Sequence, residues 1–223
     1  MIQPPETLME LKRRAQALAG KTIGELTENQ TFTYPKNLKR HKGWQGQFIE
    51  WCLGADAGNR SEPDFRLINV ELKTLPIDYE GNVQESTYVS VVNINKRLAL
   101  KWSESVVYHK LQHVLWVPIA RRKGDLTSQS TVATPFFWRP NQDELELLRA
   151  DWENAMELIS VGKVQQLTAK MGEILQVRPK AANSKVLTNH IDDKGEQAQT
   201  LPRGFYLRSQ FTQKLLNQNL KKC

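Results

Sequence analysis

A short apolar run interrupted by charges, PDFRLINVELKTLP at residues 63–76, constrains the fold more than any other segment. Turn-forming residues bracket aliphatic side chains that suit a half-buried strand. The members predicted for this strand are Leu67, Ile68, Val70 and Leu72. Because side chains alternate between strand faces, Asn69, Glu71 and Lys73 are predicted to share the opposite face. Alone, such an E-x-K pair is typical of a solvated edge, so its meaning depends on what else converges there.

The composition indicates a globular protein with a polyanionic partner. The chain has 223 residues, 39% hydrophobic and 25% charged, which suits one large domain or two small ones and excludes a disordered chain. Its formal net charge of +7 favours binding to a polyanion such as DNA. Its two cysteines are too few for a disulfide framework or a structural zinc site. No signal peptide or membrane-spanning run is evident, so a cytoplasmic location without membrane contact is predicted.

Hydrophobic periodicity predicts helices and strands interspersed along the chain. Helices are predicted at residues 6–19, 45–53, from a cap at Asn141 or Asp143 through Ile159, and at 211–220. Further strands are predicted at residues 88–94, 114–119, 136–138 and 174–177. Hairpin-like and crossover-length connections both occur between them, and this combination predicts a mixed α/β domain.

The charges in the opening run form a pattern suited to phosphodiester hydrolysis. Asp64 precedes Glu71 by seven residues, and a bend can return its carboxylate toward the same end of the strand. Two carboxylates and the backbone carbonyl of Leu72 would make a hard oxygen site for Mg²⁺. Lys73 beside that ion could orient or activate a water, or stabilise developing phosphoryl charge. Glu50 lies inside an apolar helix, where a carboxylate needs a partner or a metal.

The spacing P-D-x6-E-x-K resembles the PD-(D/E)xK signature of the restriction-endonuclease-like superfamily. That signature is short and degenerate, but the surrounding segments are more specific. They are KGWQGQFIEW, NVELKTLP, YHKLQHVLWVP, VRPKAANSKVLT and LPRGFYLRSQFT. Together, in this order over nearly the whole chain, they resemble the MutH family of methyl-directed mismatch-repair endonucleases.

The resemblance implies a fold, a cofactor and an active site. The fold would be a restriction-endonuclease-like mixed sheet flanked by helices, one endonuclease domain over residues 1–223 with two lobes around a DNA cleft. Asp64 and Glu71 would bind Mg²⁺, with Mn²⁺ or Ca²⁺ as substitutes in binding, and Lys73 would be the catalytic lysine. Glu50 matches the family's additional helix glutamate, and Lys110 matches a further active-site lysine.

The resemblance also implies a substrate and partners. The family nicks the unmethylated strand at hemimethylated GATC in double-stranded DNA, and it works with MutL and, through MutL, with MutS. The segment around Pro179 would read GATC, and Tyr206 would sense adenine methylation. Basic segments on a chain of charge +7 favour a phosphate-contacting surface. The predicted DNA-contacting residues are Lys42, Arg178, Pro179, Lys180, Arg203, Tyr206 and Arg208.

Several alternatives stay open at this stage. One is a restriction enzyme that cuts both strands of a similar site, which would require two copies because the chain carries one catalytic motif. Another is a DNA-binding module without catalysis. Tyr206 could instead pack in the core beside Phe205. A zinc pair at His109 and His113 is disfavoured, because the glutamate of H-E-x-x-H is absent.

Overall fold

The computed structural model describes residues 2–28, 43–58, 60–94, 101–180 and 186–220. Its helices are α1 (Leu8–Gln16), α2 (Ile23–Thr27), α3 (Trp44–Leu53), α4 (Val106–Leu111), α5 (Gln142–Ser160) and α6 (Ser209–Leu220). Its strands are β1 (Glu71–Ile77), β2 (Thr87–Val91), β3 (Val114–Ala120), β4 (Thr131–Val132), β5 (Phe136–Trp138), β6 (Leu175–Pro179), β7 (Thr188–Ile191), β8 (Gln197–Thr200) and β9 (Arg203–Leu207). The predicted mixed α/β class is confirmed.

The chain divides into two compact units, each built from discontinuous segments. The first unit comprises Met1–Glu85, Gln112–Arg139 and Gln213–Cys223, and the second comprises Ser86–Leu111 and Pro140–Thr212. The DNA cleft and the single endonuclease domain stay predictions. None of the helices within the described ranges has the length and apolarity needed to cross a bilayer.

The first unit is organised around β3. This strand pairs in parallel with β1, with Glu71 opposite Val114, and its other neighbours β4 and β5 are antiparallel to it. All seven residues of β3 are buried, as expected for a central strand with a continuous apolar run. Helices α1 and α3 contribute to the same core, in which the largest buried side chains include Leu11, Phe48, Ile49, Leu53, Leu115 and Ile119.

The predicted helices exist, with boundaries set by local chemistry. Thr7 caps α1 by accepting a hydrogen bond from the Glu10 N–H, and the helix ends at Gln16, before the predicted residue 19. In α3, Phe48, Ile49 and Leu53 are buried, whereas Trp51 and Cys52 are only half-buried. The predicted cap of α5 is confirmed at Asn141, which forms a reciprocal capping box with Glu144.

The strand predicted through residues 67–70 is wrong. Residues 66–69 form a turn that is closed by an antiparallel bridge between Phe65 and Val70, and β1 begins only at Glu71. Asn69 has φ 52°, a left-handed conformation that asparagine tolerates better than most residues. Leu67 is 72% exposed, so it has no place on a buried face. The turn supplies the predicted bend that returns Asp64 toward β1.

The second unit contains an antiparallel sheet in the order β2-β9-β6 and a separate β7-β8 hairpin. The segment around β9 reads as a basic loop in the sequence, yet it forms the central strand of this sheet. Phe205 and Leu207 of β9 are buried. In the sequence, Arg203 and Arg208 partly obscure this alternation of buried side chains. Helix α5 belongs to the same unit and buries Leu148, Trp152, Ala155 and Ile159.

Candidate active site

The turn at residues 66–69 brings the Asp64 carboxylate to the start of β1. Asp64 Oδ2 accepts a hydrogen bond of 2.8 Å from the Leu72 N–H. The neighbouring Glu71 N–H donates instead to His113 O at the start of β3. Because successive backbone groups of a strand point to opposite sides, the Leu72 N–H and C=O both point away from β3. The Leu72 carbonyl therefore lies on the same side of β1 as the Asp64 carboxylate.

Glu71 and Lys73 form a buried ion pair on one face of β1. Lys73 Nζ lies 2.5 Å from Glu71 Oε1, and the two side chains are 12% and 1% exposed. The prediction that they share a face is confirmed, but the face is buried and not a solvated edge. Burial opposes the charge of Lys73, yet attraction to Glu71, Asp64 and Glu50 outweighs this effect and raises the pKa of Lys73. Lys73 is therefore a fixed cation at neutral pH.

Asp64 carries a strongly perturbed carboxyl group. Its side chain is buried, and burial is the main cause that raises the pKa of Asp64 to about 7. Repulsion by Glu71 and Glu50 acts in the same direction, while Lys73 and the Leu72 N–H oppose it. Three carboxylates therefore face a single lysine. A bound divalent cation would remove this excess of negative charge.

Helix α3 places Glu50 near β1. An added Cβ atom at Gly46, one helical turn earlier, would lie 4.0 Å from Glu50 Oε1 and 3.9 Å from Thr74 Oγ1. Gly46 and Glu50 are four residues apart and so lie on one face of α3. That face is turned toward β1, which explains how Glu50 acts electrostatically on both Asp64 and Lys73.

The donor atoms fit a hard divalent cation. No group of three or more His, Cys, Asp or Glu side chains among the described residues is arranged to hold a metal by itself. The oxygen set at β1 combines the carboxylates of Asp64 and Glu71 with the backbone carbonyl of Leu72, and Glu50 is the further carboxylate. Oxygen ligands of this kind suit Mg²⁺, Mn²⁺ or Ca²⁺ rather than zinc.

His113 is hydrogen-bonded to an arginine. Its Nδ1 lies 3.1 Å from the Arg139 guanidinium. A guanidinium has only donors, so Nδ1 is the acceptor and the imidazole is neutral. Burial first, and then the charge of Arg139, lower the pKa of His113 to about 4. Lys110, the other predicted active-site lysine, lies half-buried on α4 of the second unit.

The second unit presents an aromatic and cationic surface on the β2-β9-β6 sheet. The rings of Tyr206 and Tyr88 meet edge to face at 5.4 Å. The Arg178 guanidinium lies 5.7 Å from the Tyr206 ring, and Lys180 Nζ lies 3.5 Å from the Tyr88 ring. Tyr206 is half-buried and alternates with the buried Phe205, so it points to the opposite face of the sheet. This arrangement brings together Tyr206, Arg178 and Lys180, with Pro179 between the two cations.

Sequence patterns did not reveal two further members of this surface. Tyr88 reads only as part of a strand, and Gly204 reads only as a turn-forming residue. An added Cβ atom at Gly204 would lie 3.0 Å from the Tyr88 ring and 3.1 Å from the Tyr206 ring. A side chain at this position would force the rings to shift, so their close approach favours glycine here, whereas the backbone is not left-handed. Only the strand register, with Tyr88 opposite Tyr206, could have identified the contact.

Arg203 and Arg208 make internal hydrogen bonds, and their predicted DNA contacts stay predictions. Arg203 is buried and donates to Leu167 O at 3.0 Å. Arg208 donates to the carbonyls of Ala169, Gly172 and Met171. Both guanidinium groups thereby hold the loop that follows α5, because an arginine fork matches several carbonyls at once.

Lys42 and residues 181–185 of the RPKAANSK segment lie outside the described residues, so their predicted DNA contacts stay predictions. Trp44, which follows Lys42 closely in the sequence, stacks on Phe48 with ring centroids 5.1 Å apart. Its ring is therefore engaged within α3.

Comparison with known proteins shows the family of this chain. The family described as "DNA mismatch repair enzyme MutH" matches residues 53–151, which contain Asp64, Glu71, Lys73 and Lys110. The chain is 50% identical over 216 residues to a protein from Shewanella sp. (strain W3-18-1) named "DNA mismatch repair protein MutH", covering 97% of both chains. A protein of the same name from Shewanella woodyi is 50% identical over 213 residues, covering 96% of this chain and 92% of its own. This chain belongs to the MutH family of DNA mismatch repair enzymes.

Proposed function

We propose that this protein is a Mg²⁺-dependent endonuclease of DNA mismatch repair that nicks the unmethylated strand at hemimethylated GATC sites. The observation that carries the proposal is the convergence of Asp64, Glu71 and Lys73 at the start of β1. Two acids and a fixed cation at one strand end serve phosphodiester hydrolysis, and a module that only binds DNA does not need them. Membership in the MutH family supports the same conclusion.

The residues at β1 have distinct roles in this proposal. Asp64, Glu71 and the Leu72 carbonyl would hold the cation, with Glu50 as a further carboxylate. The bound cation would supply Lewis-acid stabilisation of the negative charge that develops on the phosphate. The carboxylates around Lys73 raise its pKa, so Lys73 would act as a positioned charge and hydrogen-bond donor toward that phosphate. Glu71 holds the Lys73 ammonium in place.

The sheet of the second unit would read the DNA sequence. Arg178 and Lys180 are donors suited to guanine N7 and O6 in the major groove. An N6-methyl group on adenine adds bulk and removes one donor hydrogen, so the Tyr206 ring would reject it by steric overlap. The Tyr88 and Tyr206 contact supports this role, because a ring held by its neighbour can act as a rigid wall.

The resemblance further suggests partners and a place of action. MutL would recruit and activate the enzyme, and MutS would act through MutL. The cell compartment would be the cytoplasm. Both statements rest on membership in the MutH family and not on a surface of this chain.

The decisive test is digestion of a supercoiled plasmid that carries GATC sites, with Mg²⁺ present. Relaxed circles are the expected product, because one catalytic motif cuts one strand. Linear product would instead indicate the paired cutting of a restriction enzyme. Plasmid that stays unchanged even with MutL present, with duplex binding retained, would indicate a DNA-binding module. Repeating the assay on hemimethylated plasmid, with MutL and without it, tests strand choice and activation.

A further inference from the structure

The segment that follows α3 ties Glu50 to Asp64 through backbone hydrogen bonds. The Ala55 N–H donates to Glu50 O at 2.9 Å. The next two amides, of Asp56 and Ala57, donate to Asp64 O at 2.9 and 3.3 Å. Three successive N–H groups thus connect the backbones of two predicted active-site acids. The position of Asp64 depends on this strap, residues 55–57.

The side chain of Asp56 binds Arg66, which follows Asp64 by two residues. Its Oδ1 accepts from the Arg66 N–H at 3.1 Å, and its Oδ2 accepts from Arg66 Nε at 2.9 Å. The Arg66 NH2 group lies 2.8 Å from the same Oδ2. Arg66 opens the turn at residues 66–69. Asp56 therefore holds the carbonyl of Asp64 with its main chain and the residue two positions later with its carboxylate.

We propose that Asp56 and Arg66 are positioning residues that fix the Asp64 carboxylate for binding of a divalent cation; this inference rests on the metal site of the proposed function. Asp64 is buried beside Glu71 and Glu50, which repel it electrostatically. Its carboxylate accepts a hydrogen bond from the Leu72 N–H, and its backbone carbonyl is held by the strap. The clamp of Asp56 and Arg66 supplies that restraint without contacting the cation, as outer-shell partners of metal ligands do.

The role differs from a contribution to stability. The Arg66 and Asp56 side chains are 42% and 22% exposed, and ion pairs with this exposure contribute little to the free energy of unfolding. Their removal is therefore expected to weaken metal binding while leaving the melting temperature nearly unchanged. A merely structural pair would show the reverse.

The geometry predicts an order among three variants. Asp56→Ala removes every bond to Arg66, so it should weaken metal affinity most, by about 10-fold or more. Asp56→Asn keeps an acceptor for the Arg66 N–H. Arg66→Ala keeps the same bond, because the donor belongs to the backbone. Both of these variants should fall between the wild type and Asp56→Ala.

The test is a titration of the full-length protein with Mn²⁺ alone, followed by electron paramagnetic resonance, without DNA and without turnover. Amide hydrogen exchange at Ala57 reports directly on the bond to Asp64 O. Arg149→Ala is the matched control, since it breaks an exposed ion pair to Glu153 on α5 of the second unit. It should leave Mn²⁺ affinity within about twofold of the wild type.

Weaker Mn²⁺ binding and faster Ala57 exchange in the Asp56 variants, in the predicted order, would establish the positioning role. Equal Mn²⁺ affinity in the wild type and Asp56→Ala would overturn it while leaving the proposed function intact. Absence of Mn²⁺ binding in the wild type would overturn the proposed metal site itself. If Asp56→Ala lacks a cooperative melting transition, Asp56→Asn and Arg66→Ala supply the comparison.

Discussion

At the scale of single residues, the active site is an excess of negative charge held in a buried place. Asp64 shows this most clearly, because its carboxylate lies among two others and one lysine. Such an arrangement destabilises the metal-free protein and favours the bound cation. The chemistry of the site and the stability of the fold therefore make opposite demands on the same side chain.

Replacing Asp64 with asparagine should separate these two demands. Burial and repulsion raise the pKa of Asp64 from 3.8 to about 7, so the folded state prefers the protonated acid. The protonated Asp64 therefore stabilises the folded state fully below pH 3.8, the pKa of this group in the unfolded chain. This contribution to stability is lost as the pH rises through 7. Asp64→Asn lacks the charge, so above that pH the metal-free variant should be more stable by roughly 1–4 kcal/mol.

Urea denaturation with EDTA at pH 4 and pH 8.5 measures this effect. The extra stability of Asp64→Asn over the wild type should be present at pH 8.5 and small at pH 4. In separate assays, Asp64→Asn should lose nicking activity and keep duplex binding. Near-normal nicking by the variant would contradict the assignment of Asp64 as a metal ligand.

Lys73 should matter for rate rather than for binding. Its ammonium is held by Glu71 and stays protonated, so Lys73→Ala removes a positioned charge from the reacting phosphate. Loss of such a charge costs on the order of 10²-fold or more in rate. Single-turnover nicking of a GATC duplex, with DNA affinity measured in parallel, tests this expectation. A rate within about threefold of the wild type would make Lys73 a structural residue.

At the scale of secondary-structure elements, two strands present functional side chains, and the neighbouring strands fix the orientation of those side chains. Strand β1 presents Glu71 and Lys73, and its parallel pairing with β3 sets which backbone groups remain for Asp64. Strand β9 presents Tyr206 between β2 and β6. In both cases register decides which side chains meet.

Strand β9 carries the prediction about methylation. The Tyr206 ring is supported by Tyr88 and by the Arg178 guanidinium, so Tyr206→Ser removes a held aromatic wall. We expect the variant to cleave unmethylated, hemimethylated and fully methylated GATC duplexes with reduced preference. A clash-based wall can discriminate by more than the roughly 10–200-fold of a single methylene-sized pocket. An unchanged preference together with a lower melting temperature would assign Tyr206 to packing alone.

The start of β3 carries a prediction about acid sensitivity. His113 is neutral when folded, because burial and Arg139 lower its pKa from 6.5 to about 4. The unfolded chain binds a proton at higher pH than the folded one, so this residue's contribution to stability is lost as the pH falls from 6.5 toward 4. His113→Gln can still accept from Arg139 but does not titrate. As the pH falls from 6.5 toward 4, the wild type should therefore lose more free energy of unfolding than His113→Gln. Urea denaturation across this pH range measures the difference.

At the scale of the whole molecule, the positive net charge and the buried carboxylates suit two different ligands. The net charge of +7 suits DNA, while the buried carboxylates of the first unit suit a cation. Mg²⁺ that binds only the folded state should raise the melting temperature in a concentration-dependent way. The shift should be absent in Asp64→Asn, and chelation by EDTA should stop nicking. A shift of equal size in both proteins would place the bound ion elsewhere.

The sequence by itself determined the mixed α/β class, the buried strand β3 and the return of Asp64 toward Glu71. These features depend on local patterns: a continuous apolar run predicts a buried strand, and the spacing from Asp64 to Glu71 allows one turn and a return. The helix cap at Asn141 is equally local, since its hydrogen bonds span three residues. Such patterns persist whatever the rest of the chain does.

Only the tertiary structure decided the remaining features. Residues 66–69, with Asn69 in a left-handed conformation, form a turn where a strand was predicted, and this turn brings Asp64 back to β1. Strand β9 is central because it pairs with both β2 and β6. Arg203 is buried and donates a hydrogen bond to the Leu167 carbonyl. Asp56 accepts hydrogen bonds from Arg66, ten residues later in the sequence. Each of these outcomes depends on which distant groups compete for the same hydrogen bonds and apolar surface, and no periodicity along the chain encodes that competition.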